Sequence, residues 1–424
     1  MTVRALTPTD VLAVRPLTVV PEGDEFLVGD PEASVYVVLP AVGVRVLELL
    51  RSRRTLADIS VDARREVGQE VDVIDFAESL LELGFASRTD DPDGSEDDEG
   101  ATRSSRTPSR WLRYAFSRVA WTIYAAVALG ALAMLASRPA LFPRSSDLFF
   151  LDTPARSMAA LTVIIYALAA AHEGCHWLAA RSEGVDARIT VSRRLYFLVL
   201  EIDLTGLWSL PRRRRYGPLL AGMAFDAFLL FPVLLARFGD TQGWWRLGDS
   251  AARVLAALTF VQVAALMSQF WIFVRTDVYA LLITSTGCVN LFRVNQLMVR
   301  RALRIMTAEH ERELRDAHQR DRAVARWYRW IYLAGIAAAA WFFVVFFAPA
   351  TIRLAMWIIS SVAHAGIASE HFWEALVVGA LIFSPRLITG AVAVRDLRHW
   401  RERRLTARAR QAGSSGDAEP LPFG

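Results

Sequence analysis

The apolar positions change their spacing twice along the chain, and each change predicts a different kind of structure. Near the N-terminus they form short β-rich runs at residues 17–20, 25–28 and 34–39, split by the turn formers Pro21-Glu22-Gly23-Asp24 and Gly29-Asp30-Pro31. The period then becomes helical. Val42, Val46, Leu49 and Leu50 fall on one face, as do Val73, Phe76, Leu80 and Leu83, with Gly84 placed to end that helix. Strands followed by three helices predict a small α+β, winged-helix-like domain over residues 1–87.

Residues 88–110 carry no such pattern. Seven acidic residues crowd into Asp90–Glu99, and nothing apolar there is large enough to seed a core, which predicts a flexible acidic linker. From Trp111 the apolar runs lengthen to about 20 residues, enough to cross roughly 30 Å of hydrocarbon. Runs near 119–137, 157–180, 217–238, 251–274, 330–349 and 372–394 predict about six spans. The shorter stretch Ile352–Ala368 contains Arg353 and His364 and is expected to be interfacial or re-entrant. The chain is therefore expected to be mainly α, a polytopic helical membrane protein over 111–410 with a disordered tail at 411–424.

Composition supports that division. Hydrophobic residues make up 54% and mean hydropathy is +0.28, above the range of ordinary soluble domains, while 22% of residues are charged, so the charge is segregated. The net charge is +4, and all 48 basic residues are Arg. Residues 103–118, 181–216, 275–329 and 395–410 hold 5, 8, 11 and 7 Arg, whereas 138–156, 239–250 and 350–371 hold 3, 1 and 1. The positive-inside rule puts the first set in the cytoplasm, and with six spans both termini lie there, at the cell membrane. The opening MTVRALTPTD lacks the pattern of a cleaved signal peptide. Two cysteines, Cys175 and Cys288, exclude a disulfide framework.

The candidate chemistry lies in the second apolar run. His172, Glu173 and His176 form HExxH, and with seven His in the chain a chance occurrence is expected on the order of 0.01 times. On a helix, positions i and i+4 share a face, so both imidazoles can hold one ion. Glu173 lies about 100° round, within reach of a water that zinc would acidify toward pKa ~7. Three polar groups within five residues of an apolar run point to function, because ionisable groups inside a span are costly. Cys175 lies on another face and is expected to pack.

A catalytic zinc takes a third protein ligand and keeps an open position. Asp226, Asp277 and His364 are the candidates in the apolar region. Asp277 follows a span returning to the side nearer His172 and His176, so its depth matches; the competing reading is an ion pair with Arg275. His364 falls on the opposite side.

These residues carry two resemblances. HEGCH in a span, with Asp277 in TDVYALL, resembles the paired motifs of site-2-protease-type membrane zinc metallopeptidases, over roughly residues 115–300. Val278 stands where that family usually has Gly, while Tyr279 is kept. The resemblance implies zinc held by His172, His176 and Asp277, with Glu173 in peptide-bond hydrolysis within or beside the membrane. It also implies membrane-associated strands in RITVSRRLYFLVLEIDL that can pair with an unwound substrate. Asp226, in GPLLAGMAFDAF near the family's small-residue segment, and Tyr279 are candidates for binding substrate or supporting a ligand. An unpaired Asp226 in lipid would be protonated.

Residues 14–87 resemble PqqD-like peptide-recognition domains through VYVVL, LPAVGVRVLELL, RRTLADIS and DVIDFAESLLELGFA. That resemblance implies a leader peptide added as a strand at residues 34–39. A duplex-binding winged helix is the rival reading of this domain, and nucleic acid is the less favoured partner. The expected partners are the bilayer and a peptide or membrane-protein substrate, in maturation or export of a ribosomally made peptide or in regulated proteolysis. A membrane peptide-binding scaffold or transporter subunit with a vestigial zinc site is the alternative. Arg212–Arg215 is expected to anchor on anionic lipid, and Thr307–Arg326 to be a solvated, salt-bridged face.

Overall fold

The computed structural model describes residues 6–30, 35–68, 71–88, 110–194 and 197–384, together with 387, 388, 390, 391, 394 and 395. The expected acidic linker, the tail at 411–424, Ser34 of the expected edge strand and parts of the expected sixth span lie outside the described residues.

The N-terminal segment begins with β1 (Leu12–Val14), β2 (Thr18–Glu22), β3 (Glu25–Asp30) and β4 (Val35–Pro40). The helices α1 (Ala41–Leu50), α2 (Leu56–Val67) and α3 (Val73–Glu82) follow, then β5 (Ala86–Arg88). Strands β2, β3 and β4 pair antiparallel in that order, which leaves β4 on an edge. Register Glu22↔Glu25 closes the first hairpin in two residues, and Gly23 supplies the positive φ (74°) that so tight a turn needs. Strand β1 pairs with β5, from Leu12↔Arg88 to Val14↔Ala86.

Local chemistry sets the helix ends. Thr55 caps α2 by accepting from the Asp58 N–H, and Asp72 caps α3 by accepting from Ile74 and Asp75. Gly68 and Gly84, both at φ 73°, end them in the left-handed conformation. The buried face of α1 is Val44, Val46, Leu47 and Leu50, rotated from the expected one, with Val42 and Leu49 at its margin. Apolar residues nearly encircle this helix, so periodicity alone does not choose the stripe. On α3, Val73, Ala77 and Leu80 are buried, while Phe76 is half-buried and Leu83 exposed. These faces close on Leu12, Val28, Leu56, Ile59 and Phe85 in one core.

Among the described residues the regular structure of the remainder is helical apart from one strand pair. In order come α4 (Arg110–Ala115), α5 (Arg118–Ser137), α6 (Pro154–Ser182), β6 (Arg188–Arg194) and β7 (Phe197–Asp203). Then follow α7 (Arg212–Thr241), α8 (Asp249–Ser268), α9 (Asp277–Thr286), α10 (Leu291–Ala302), α11 (Ala308–Asp316), α12 (Gln319–Phe342) and α13 (Ala348–His364). Strands β6 and β7 pair with each other. Helix α7 packs against α5, α8 and α9.

Among the described residues five helices are long and apolar enough to cross a membrane: α5, α6, α7, α8 and Gln319–Val345, with mean hydropathies of 1.5 to 2.2. Large apolar side chains face outward along them, among them Val119, Leu129, Val163, Trp330 and Val344. The expected sixth span is helical over 370–384, and its later part falls partly outside the described residues. The run near 330–349 and the shorter stretch after it are joined in continuous helix. A five-residue π-helical stretch, Phe343–Phe347, joins α12 to α13 just before Pro349, whose missing N–H the looser turn accommodates.

The chain divides into two compact units. One contains residues 1–143, 170–189 and 202–340, and the other 144–169, 190–201 and 341–424. In the first, the N-terminal sheet docks on the start of α7 and the single turn Thr205–Ser209 before it. Glu22 Oε2 lies 2.9 Å from Nη2 of Arg215, a guanidinium only 1% exposed that also donates from Nε to the Leu210 carbonyl and lies over the Trp208 ring. Arg212 donates to the Thr284 and Ser285 carbonyls, and Arg214 pairs with Glu183 at 2.6 Å. Three residues of the expected lipid anchor are thus engaged within the protein, where carboxylates and carbonyls meet them at short range.

Nor is Thr307–Arg326 uniformly solvated. Asp321 is buried and accepts the Val289 and Asn290 N–H groups that precede α10, while His318 pairs with Glu25 of the sheet. Backbone donors at a helix start are satisfied there by an acid that its own sequence neighbourhood presents as a surface charge.

Candidate metal centre

His172 and His176 lie one turn apart on α6, 7% and 2% exposed, with their Nε2 atoms 3.2 Å apart. Asp277 comes from the first residue of α9. The chain reaches it through the turn Ile272–Val274 and Arg275, whose φ is 60°. Gln269, at the end of α8, fixes the approach: its carbonyl accepts from the Thr276 hydroxyl and its side-chain oxygen from the Asp277 N–H. Asp277 Oδ2 then stands 3.0 Å from His172 Nε2 and 3.1 Å from His176 Nε2. Among the described residues this is a group able to hold a metal ion.

The other ring nitrogens fix the tautomers. His176 Nδ1 lies 2.7 Å from the Pro218 carbonyl oxygen, which can only accept, so Nδ1 carries the hydrogen. His172 Nδ1 lies 2.8 Å from Asp226 Oδ2 and donates to that carboxylate in the same way. In the neutral rings both Nε2 lone pairs are left facing each other and an anionic oxygen. Three acceptors at 3.0–3.2 Å call for a cation between them. Tetrahedral N and O ligands at roughly 2.0–2.1 Å stand about 3.3 Å apart, close to these separations.

One face of α7 serves the pair on three successive turns. Pro218 offers its carbonyl, Gly222 has no side chain, and Asp226 offers its carboxylate, four residues apart each time. A Cβ at position 222 would lie 2.3 Å from His172 Nε2 and 2.4 Å from His176 Nε2. Only glycine, with no side chain, fits this close to both nitrogens.

Glu173 is half-buried, and its Oε2 accepts the Ile202 N–H of β7 at 3.0 Å. Arg275 lies over the Phe292 ring, 5.2 Å from its centroid, and Asp277 faces the imidazoles. Asp226 is buried on His172, which gives it the ligand-supporting position among those expected for it. Tyr279 is not brought to this group; it is buried in an apolar cluster with its ring 5.8 Å from that of Tyr328. Cys175 is half-buried and unpaired by any disulfide, and His364 is exposed on α13, bonded to the Ser360 carbonyl. Sequence reasoning missed Gly222 and the Pro218 carbonyl; the Pro-x3-Gly-x3-Asp spacing was the available signal.

No family model, curated protein or solved structure matches this chain.

Proposed function

We propose that the chain is a membrane-embedded zinc metallopeptidase of the site-2-protease type, and the observation that carries this reading is the convergence of His172, His176 and Asp277 beside Glu173. Two neutral imidazoles and one carboxylate form a donor set suited to zinc, with a position left for water or substrate. A bound zinc ion would supply Lewis acidity toward a peptide carbonyl and toward a water whose pKa falls to ~7.

The chain's own residues do the rest. Asp226 and Pro218 orient the two imidazoles, and Asp277 brings the negative charge. Glu173 takes the proton of the attacking water and later delivers it to the departing amine. The Ile202 N–H aims that carboxylate. Strands β6 and β7 offer backbone against which an unwound substrate can extend.

Five outward-apolar helices support a membrane setting, with six spans counting the helix that begins at residue 370. The Arg asymmetry supports a cytoplasmic location for both termini. The N-terminal sheet and three helices support a PqqD-like peptide-recognition domain, with the β4 edge as the place for an added strand. The substrate class is a ribosomally made peptide or a membrane-tethered protein segment.

The test is chelator-sensitive cleavage of a mixed pool of short apolar peptides by the full chain in detergent, read by mass spectrometry. Wild type is expected to cleave, and Glu173→Gln to keep its metal and lose at least about 10²-fold in rate. Undiminished cleavage by Glu173→Gln contradicts the mechanism.

A further inference from the structure

Helices α10, α11 and α12 enclose an open cleft of about 570 Å³ that the metal centre does not use. Five arginines line it, Arg301, Arg315, Arg322, Arg326 and Arg329, against a single acid, Glu311. Arg322, Arg326 and Arg329 recur at intervals of four and three, so one face of α12 presents all three. Met298 and Leu314 add apolar lining.

Among the described residues none of these five arginines has a carboxylate within ion-pair distance; Arg322 donates instead to the Arg315 carbonyl at 3.2 Å. The Arg329 Nε is buried without a hydrogen-bond partner. The same helices do pair arginine where a carboxylate is placed for it, since Arg293 holds Glu313 through two bonds of 2.7 and 2.6 Å. The guanidiniums around the cleft repel one another; Arg329 lies over the Trp330 ring at 5.1 Å, while Arg301, Arg315 and Arg326 are exposed and offer planar donor forks matched to phosphate oxygens.

Position narrows the source of that phosphate. Helix α12 turns apolar immediately beyond the cleft, with Trp327 and Trp330 exposed at the boundary, where aromatic side chains sit at headgroup level. The cleft thus stands at the end of a candidate span, on the side where residues 275–329 hold 11 Arg. We propose that this cleft binds the phosphate of an anionic phospholipid headgroup, its acyl chains lying along the apolar face of α12. The inference rests on the membrane setting proposed above and not on the protease reading.

The test uses the full chain in neutral detergent, titrated with phosphatidylglycerol, with phosphatidylcholine and with inorganic phosphate, and read by native mass spectrometry and calorimetry. Wild type should bind phosphatidylglycerol saturably and in preference to phosphatidylcholine. Arg322→Gln/Arg326→Gln and, separately, Arg301→Gln/Arg315→Gln should each weaken it by about tenfold or more, as loss of charge-assisted bonds implies. Arg253→Gln on α8 should bind as wild type does, and unchanged far-UV dichroism would show that the variants fold. Equal binding of the two lipids, or wild-type affinity in both double variants, overturns the proposal. Saturable inorganic phosphate binding that phosphatidylglycerol does not displace overturns the lipid source and assigns the cleft to a soluble phosphate. Alkaline carbonate extraction of wild-type membranes separates the two readings: release of the chain refutes the membrane setting, whatever the arginine variants do.

Discussion

Asp226 holds His172 by its Nδ1 at 2.8 Å, and so decides which nitrogen of that ring faces Asp277 and His176. The carboxylate sits two turns beyond Pro218, whose carbonyl does the same for His176. A partner of this kind fixes the tautomer and raises the basicity of the nitrogen that binds metal. Asp226→Ala is expected to weaken zinc affinity by about 10–100-fold, measured by competition with a chromogenic chelator. Asp226→Asn, which can still accept from Nδ1–H, should lose less. Equal affinities in wild type and Asp226→Ala would show that the contact has no part in holding the ligand.

Gly222 makes a sharper prediction. A methyl group there would stand within 2.4 Å of both Nε2 atoms, and both it and the rings are borne by packed helices that cannot simply move apart. Gly222→Ala should therefore purify as a folded chain with little bound zinc. Zinc per chain by elemental analysis, beside far-UV dichroism, checks this, and full loading of the variant would contradict the geometry.

The Glu22–Arg215 pair ties the N-terminal sheet to the helix that carries Pro218, Gly222 and Asp226. Removing one member leaves the other charge buried, at a cost of about 3–5 kcal/mol. Glu22→Ala should accordingly lower the thermal midpoint in detergent and increase hydrogen exchange in β2 and β3. Glu22→Leu/Arg215→Met, with both charges gone, should recover much of the loss. No change in either readout for Glu22→Ala would mean that the sheet is held by other contacts.

Glu173 separates binding from chemistry. Its carboxylate bonds to Ile202 rather than to a ligand, so Glu173→Gln should load zinc to the wild-type level while hydrolysis falls by about 10²-fold or more. Paired measurements of zinc content and peptide cleavage test this; loss of zinc would make Glu173 a structural support of the site.

What the sequence makes legible here is what depends on local spacing. The i, i+4 placement of His172 and His176, the strand starts near 18, 25 and 35, and the stop at Gly84 follow from backbone geometry within a few residues. The β1–β5 pair was not legible, because strands of three residues carry no period and their partners are more than 70 residues apart. The Pro218 carbonyl is a backbone atom and leaves no side-chain signature. Arg212, Arg214 and Arg215 looked like surface charge because their partners, Glu22, Glu183 and the carbonyls at 284 and 285, are remote in sequence. The continuity of α12 and α13 was not legible, because the stretch after 350 was set apart by its length and by Arg353 and His364, and neither feature reports backbone continuity.

The central claim is that His172, His176 and Asp277 hold one metal ion together. Its most direct test is zinc per chain in the detergent-purified protein, for wild type, His176→Ala and Asp277→Ala. Close to one zinc in wild type, with loss in both variants, is the result expected from three donor atoms 3.0–3.2 Å apart. No zinc in wild type, or full loading of Asp277→Ala, would contradict it.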